Sequence, residues 1–397
     1  MPSEAVIRGR EASAPLPALP ESIVSRAPAD RIPDIDWLRG VAALGVFVFH
    51  VTGVAGFPKR TLPPFSIAGR TFGALLSPFS FGASGVSLFF VLSGLCLALQ
   101  QLRARRVRLP VGEAGRYFRN RVARIVPAYW AAVFLSAAVT LWPGVAPARI
   151  VATDTVLHLF FLHGFDRTTF LSLNSALWSM ATEVQFYLLF PWLFALHGRL
   201  GGARFVAVTG LFNLAYRVAV AVVPLADGPG TGVSTSALLA YQIPGRVWEF
   251  ALGMYLAELY LRDAPSLRRL FAWLWIPGLL VSVWCRGFGP SYLPDMAFGL
   301  LYTAICGLVL ITWKGVSPGA GRRFLQTWGA RFGRSSYSFF LLHAALLAVL
   351  DRLLPASGEH PYQRALVLFG VGLPSTVVAA TGLYLGIELP LWKRLRG

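Results

Sequence analysis

Residues Asp34–His50 read DIDWLRGVAALGVFVFH. Between Arg39 and His50 stand ten residues that are all apolar or glycine. A run of this kind, continued to Ala55, predicts a membrane-spanning helix near Asp36–Ala55. Ionisable side chains are costly inside a bilayer, so they usually face protein or a polar cavity and mark function. Eleven residues at roughly 100° each return to within about 20° of the start, so Arg39 and His50 share one helix face, about 16 Å apart along the axis.

The rest of the chain extends that reading. Of 397 residues, 55% are hydrophobic and 14% charged, with a mean hydropathy of +0.59. Soluble domains carry about a quarter charged residues. Further apolar runs lie near Phe79–Leu99, Ile125–Trp142, Glu183–His197, Phe205–Val223, Leu239–Leu261, Leu270–Trp284, Met296–Trp313, Ser336–Leu353 and Ala365–Leu385. The expected fold is all-α, a polytopic membrane bundle of about ten transmembrane helices. An outer-membrane barrel would show alternating segments instead. The stretch Ile150–Phe165 is apolar but short, and reads as an interfacial or re-entrant piece.

The net charge of +18 raises nucleic-acid binding, but the basic residues gather in short loops between apolar runs. The loop after the second run holds Arg103, Arg105, Arg106, Arg108, Arg116, Arg119, Arg121 and Arg124, and the loop after the eighth holds Lys314, Arg322, Arg323, Arg331 and Arg334. Lys393, Arg394 and Arg396 close the chain. This alternation predicts both termini in the cytoplasm, with Lys59, Arg60 and Arg70 diluting the contrast in the first outer loop. The expected setting is a bacterial inner membrane, with the lipid bilayer as partner and no nucleic acid. Residues 1–33 lack an apolar signal core and read as a disordered cytoplasmic tail, with 34–397 forming one membrane domain. Cys96, Cys285 and Cys306 lie in or beside apolar runs and form no visible disulfide framework. No repeat of the transporter kind is evident.

Several side chains can carry chemistry. His50 can act as a general base from its neutral form, or serve as interhelical hydrogen-bonding glue. Arg39 can hold an anionic or carbonyl-bearing substrate, or snorkel to the interface. Glu183 can orient a histidine or bind a sugar hydroxyl, or complement a helix N-terminus. Trp178 can stack on a sugar or belong to an interfacial belt. Arg246 and Glu249, three apart, suit structural pairing. Ser93 is a candidate nucleophile or a close-packing residue, and His343 a site or packing residue. Arg119, Arg121 and Arg124 suit phosphates or simply fix topology. No H-E-x-x-H, zinc spacing, P-loop or G-x-G-x-x-G is present, so no metal site is expected.

These residues sit in six ordered motifs: IDWLRGVAALGVFVFH (35–50), GVSLFFVLSGLCLA (85–98), RNRVARIVPAYW (119–130), LWSMATEVQFYLLFP (177–191), GRVWEFALGM (245–254) and SSYSFFLLH (335–343). Together, over Ile35 to Leu391, they resemble the acyltransferase family 3 membrane enzymes, which acylate sugars of bacterial envelopes, macrolides and other glycosylated molecules. The resemblance implies that Arg39 and His50 form the Arg-to-His motif required for transfer, and that Arg119, Arg121 and Arg124 belong to the basic motif associated with acyl-CoA. Glu183 matches the first acid of a Glu-Glu-Gln-Phe-Tyr motif; Val184 stands where a second acid usually follows, which leaves a two-acid role without its partner. The implied reaction is acyl transfer, most simply of acetyl, from acyl-CoA to a hydroxyl of a carbohydrate or glycoconjugate, with no permanently bound cofactor. Tyr337 or Arg39 would donate to the carbonyl oxygen. Direct transfer and an acyl-histidine relay both remain open. No fused periplasmic esterase-like domain is expected. The competing reading is a transporter of a small solute or glycolipid using the same charges.

Overall fold

The computed structural model describes residues 32–56, 65–67, 70–72, 78–104, 111–142, 145–227, 232–262, 264–290, 292–354 and 361–395. The expected tail up to residue 31, and Lys59, Arg60, Arg105, Arg106, Arg108 and Arg396, lie outside the described residues.

The first helix, α1 (Pro33–Val54), opens as its sequence dictates. Pro33 occupies the first turn, where no backbone N–H is needed, and Asp34 and Asp36 complement the helix dipole. Asp34 also accepts from Arg322 Nη2 at 3.0 Å, from Gln326 Nε2 at 3.1 Å and from Trp37 Nε1 at 3.1 Å. A short antiparallel ribbon, β1 (Phe65–Ile67) and β2 (Arg70–Phe72), and a 3₁₀ turn over Pro78–Ser84 follow. The helices then run α2 (Gly85–Arg103), α3 (Val111–Thr140), α4 (Ala148–Leu159), α5 (Trp178–Leu200), α6 (Gly202–Val222), α7 (Thr235–Ala240) and α8 (Ile243–Arg262). They continue as α9 (Pro265–Gly287), α10 (Pro294–Gly307), α11 (Ala320–Phe324), α12 (Ala330–Arg334), α13 (Ser336–Leu353), α14 (Pro361–Leu383) and α15 (Leu389–Leu395). Three π-helical turns, Leu308–Thr312, Leu325–Gly329 and Tyr384–Glu388, interrupt this pattern.

The protein is an all-α polytopic membrane protein. Among the described residues, eight helical stretches are long and apolar enough to cross a membrane. The two other expected spans, α5 and α8, have the length, 23 and 20 residues, but carry ionisable groups that set them apart in composition. In the most hydrophobic window of the stretch containing α2, 78% of residues are buried, against 17% for α9. Thus α2 is central and α9 peripheral. The tightest packing joins α2 to α8, where a Cβ on Gly94 would overlap the Phe250 carbonyl and one on Gly253 would overlap that of Val91. Only glycine permits such an approach. Against α1 pack α2, α12, α13 and α14.

One expectation changes. The arginines after the second run were expected in a loop, but α3 starts at Val111, so Arg116, Arg119, Arg121 and Arg124 are helical. This adds about 21 Å of helix before Ile125. The short stretch at Ile150–Phe165 is α4, of 12 residues, and a 3₁₀ turn at Leu162–Phe165, too short to cross. Tyr129 Oη and Trp130 Nε1 tie it to α3 by donating to the carbonyls of His158 (2.9 Å) and Leu159 (3.1 Å).

Within this piece His158 and His163 stack face to face, centroids 3.9 Å apart, both fully buried. Burial lowers His158 from 6.5 to about 4 and His163 to about 3. Both rings therefore stay neutral in the folded protein at pH 5, while an unfolded chain protonates them below about 6.5. Unfolding takes up protons, so this stability is present above pH 6.5 and declines as pH falls toward 4. The melting temperature in nanodiscs should fall between pH 7 and pH 5, and His158→Phe should reduce that fall. An unchanged pH slope in the variant would contradict the assignment.

Candidate active site

Helix α1 places Arg39, half-buried, on the wall of an inner chamber. The chamber is bounded by α1, α2, α3, α5, α12 and α13. Its charged lining is Asp36, Arg39, Arg121, Arg124, Glu183 and Arg334, so four guanidinium groups face two carboxylates. Glu388, on the last π turn, is in electrostatic reach of Arg124 and Arg39 and accepts from Ser338 Oγ at 2.6 Å. Even with Glu388 counted, positive charge is in excess.

Helix geometry sorts the arginines. Arg121 and Arg124, three apart on α3, share a face and line the chamber. Arg119 lies two positions before Arg121, about 200° round the helix. It is exposed and is not part of the chamber wall. The chamber also takes in Arg334. That residue and Asp36 also line a second, more open cavity, beside Gln326 and Arg331. The two cavities thus meet at Asp36 and Arg334.

Glu183 projects from the second turn of α5 into the chamber. It accepts from Ser93 Oγ at 2.7 Å and from the hydroxyl of Tyr187, one turn on. Arg121 sits 5.8 Å over the Tyr187 ring. Ser93 is therefore both a chamber hydroxyl and a partner of Glu183, and its neighbour Gly94 sets the α2–α8 approach. Arg39 Nη2 reaches Cys96 Sγ at 3.5 Å. Tyr337 also lines the chamber, but its hydroxyl donates to the Ile125 carbonyl at 2.9 Å.

His50 lies further along α1, half-buried, and meets His343 of α13. His343 Nε2 is 3.2 Å from His50 Nδ1, with ring centroids 4.9 Å apart. Between this pair and the chamber stand Phe89 and Phe340. Both line the chamber and meet edge to face at 5.4 Å, and Phe340 packs on His343 at 5.5 Å. The shared face of Arg39 and His50 thus runs from chamber to histidine pair.

Other candidates fall into packing or pairing. Trp178 packs against Tyr241 (4.4 Å) and Phe170 (5.8 Å). Arg246 and Glu249 pair at 2.9 Å, both 2% exposed, within a larger network. Asp295 of α10 binds Arg246 and, from α6, Arg217, each at 2.7 Å, and Arg246 donates to Ser87 at 3.2 Å. Arg217 also donates to the carbonyls of Tyr292 (2.7 Å) and Gly245 (2.9 Å). Two arginines and two carboxylates balance in this network, which joins α2, α6, α8 and α10. Arg217 and Asp295 give no local signal in sequence because their partners are 78 and 49 or more residues away. Asp36 and Arg334 likewise give no signal in sequence as chamber residues, whereas Tyr187 stands one helical turn from Glu183. Among the described residues, no three His, Cys, Asp or Glu side chains gather as metal ligands would.

This layout, a basic chamber continued to a histidine pair on one helix, can be set against known proteins. A family model described as an acyltransferase domain, of the acyltransferase 3 type, matches residues 32–385. The chain belongs to the acyltransferase 3 family. It is 25% identical to "Acyltransferase MdmB" of Streptomyces mycarofaciens, over 90% of this chain and 89% of that relative. It is 28% identical to "Exopolysaccharide production protein ExoZ" of Rhizobium meliloti (strain 1021), over 80% and 92%. It is 24% identical to "Putative peptidoglycan O-acetyltransferase YrhL" of Bacillus subtilis (strain 168), over 80% of this chain and 49% of that relative. No solved structure matches. This acyltransferase 3 protein is thus an acyltransferase enzyme, and the transporter reading gives way.

The closed network and the chamber should respond differently to mutation. Arg246→Met leaves the buried Glu249 without its ion-pair partner and Asp295 with Arg217 alone, and should cost about 3–5 kcal/mol of stability, seen as loss of the monodisperse peak in detergent. Arg121→Gln, at the half-buried chamber wall, should leave that peak intact. A well-folded Arg246→Met protein would contradict the structural role.

Proposed function

We propose that this chain is a bacterial inner-membrane O-acyltransferase that moves an acyl group, in the first instance acetyl, from acyl-CoA to a hydroxyl of a carbohydrate or glycoconjugate. The observation that carries the proposal is the excess of arginine in the chamber. Arginine forks bind phosphates through paired charge-assisted hydrogen bonds. A chamber with four arginines and two acids suits the anionic CoA. The names of two relatives, an exopolysaccharide production protein and a peptidoglycan O-acetyltransferase, support a glycan acceptor.

The donor enters from the cytoplasm between α1 and α12, where Arg331 and Arg334 flank the outer cavity. Arg39, Arg121 and Arg124 hold it in the chamber, and Arg119 keeps the helix end on the cytoplasmic side. The ten long helices α1, α2, α3, α5, α6, α8, α9, α10, α13 and α14 cross the membrane, with both termini inside. The thioester passes Phe89 and Phe340 to His50. Arg39 and His50 are about 16 Å apart along the axis, too far to flank one carbonyl. Arg39 therefore grips the donor, and His50 does the proton chemistry. His50 removes the acceptor hydroxyl proton, the oxygen attacks the thioester carbon, and the C–S bond breaks. The thiolate leaves as CoA thiol with the proton that His50 took. Glu183 holds Ser93 and Tyr187 in place at the chamber wall. The direct route is favoured over an acyl-histidine relay because a neutral imidazole beside a hydroxyl suffices as base.

In nanodiscs, label should pass from acetyl-CoA to a glycan acceptor. His50→Ala should reduce turnover by about 10²-fold or more. Arg121→Gln with Arg124→Gln should chiefly raise the KM for acetyl-CoA. Full activity of His50→Ala would remove His50 from the chemistry, and an unchanged KM would remove the chamber from donor binding.

A further inference from the structure

We propose that His343 is a positioning residue that fixes which nitrogen of His50 is basic and stabilises the charge His50 acquires. The inference rests on the reading of His50 as base. It starts from atoms that can only accept. Nδ1 of the fully buried His343 lies 2.7 Å from the Phe340 carbonyl. A carbonyl has no proton to give, so Nδ1 of His343 carries the hydrogen. A neutral imidazole has one N–H, which leaves Nε2 of His343 as a lone-pair acceptor.

That acceptor points at His50. His50 Nδ1 has His343 Nε2 at 3.2 Å and the Val46 carbonyl at 2.9 Å. Two acceptors converge on it, so His50 Nδ1 carries its hydrogen and Nε2 holds the reactive lone pair. The same logic governs any catalytic imidazole whose far nitrogen is engaged: the hydrogen bond at one nitrogen sets the tautomer at the other. The supply of partners is unusual, because a second histidine and a backbone carbonyl do what a carboxylate commonly does.

The proton balance follows. When the acceptor O–H bond breaks, an N–H bond forms at His50 Nε2 and the ring becomes a cation. Its Nδ1–H then donates a charge-assisted bond to His343 Nε2. When the intermediate collapses, the Nε2 proton leaves with the CoA sulfur, and His343 ends as it began. The ring of His343 is itself locked between Phe47 (6.4 Å) and Phe339 (6.2 Å), so its lone pair has a fixed aim.

The test combines kinetics with nitrogen-15 NMR of histidine-labelled protein in nanodiscs. The chain has six histidines, and His50 signals are identified by their loss in His50→Gln. The wild type should show His50 protonated at Nδ1 and bare at Nε2. His343→Phe, which keeps the volume but no acceptor, should lower kcat by about 10- to 100-fold with little change in KM, and broaden or shift the His50 signals. His343→Gln, whose carbonyl can accept from Nδ1–H, should restore most of kcat. A wild-type His50 protonated at Nε2 overturns the proposal, as does wild-type kcat in His343→Phe. Equal loss in the Phe and Gln variants with unchanged His50 signals would mean that His343 only packs. If His50→Gln itself remains active, the base reading fails while the NMR still reports on the pairing, so the two failures are distinct.

Discussion

Charge inside an apolar helical bundle must be neutralised or given water, and this protein meets that constraint in two ways. In the network of Arg217, Arg246, Glu249 and Asp295, cations and anions are equal in number and the ion pairs close on themselves. In the chamber, Arg39, Arg121, Arg124 and Arg334 outnumber Asp36 and Glu183. The first arrangement locks four helices and asks for nothing further. The second leaves positive charge that a ligand can complete. The same residue type therefore reads as structure in one place and as binding in another, and the local balance of charge decides which.

The chamber and the histidine pair are also separated in space. Arg39 and His50 ride on one face of α1, but Phe89 and Phe340 stand between the cavity and the imidazoles. The proposed transfer, with a water-soluble donor on one side and an acceptor on the other, needs such a partition, since an open passage would admit water to a thioester. Close packing elsewhere supports it. The glycines at the α2–α8 contact bring two backbones together, and across it Arg246 of α8 lies 5.2 Å over the ring of Phe90 of α2.

Much of this was legible in the sequence, and the limits have physical reasons. The apolar runs fell on helices, eight of them in stretches long and apolar enough to cross a membrane among the described residues, because hydrophobic length is a one-dimensional signal. The pair on α1 was legible because eleven residues return to the same helix face. Arg121 and Arg124 could not be told from Arg119 without knowing that the basic stretch is helical, which places Arg119 on another side. Glu249 was legible as a partner of Arg246 from its spacing, but the distant partners of Arg246 and His50 were hidden for a different reason. Asp295 and His343 approach them only through the packing of distant helices, 49 and 293 residues along the chain. The apolar character of α5 and α8 is diluted by the ionisable groups that make them informative.

Sidedness of the donor tests the account most directly. Protein reconstituted into vesicles of known orientation would receive labelled acetyl-CoA on one side only, with a glycan acceptor on the other. Label should reach the acceptor only when acetyl-CoA is on the side bearing Arg331 and Arg334. Equal transfer with acetyl-CoA on the opposite side would contradict a donor chamber opening at that face.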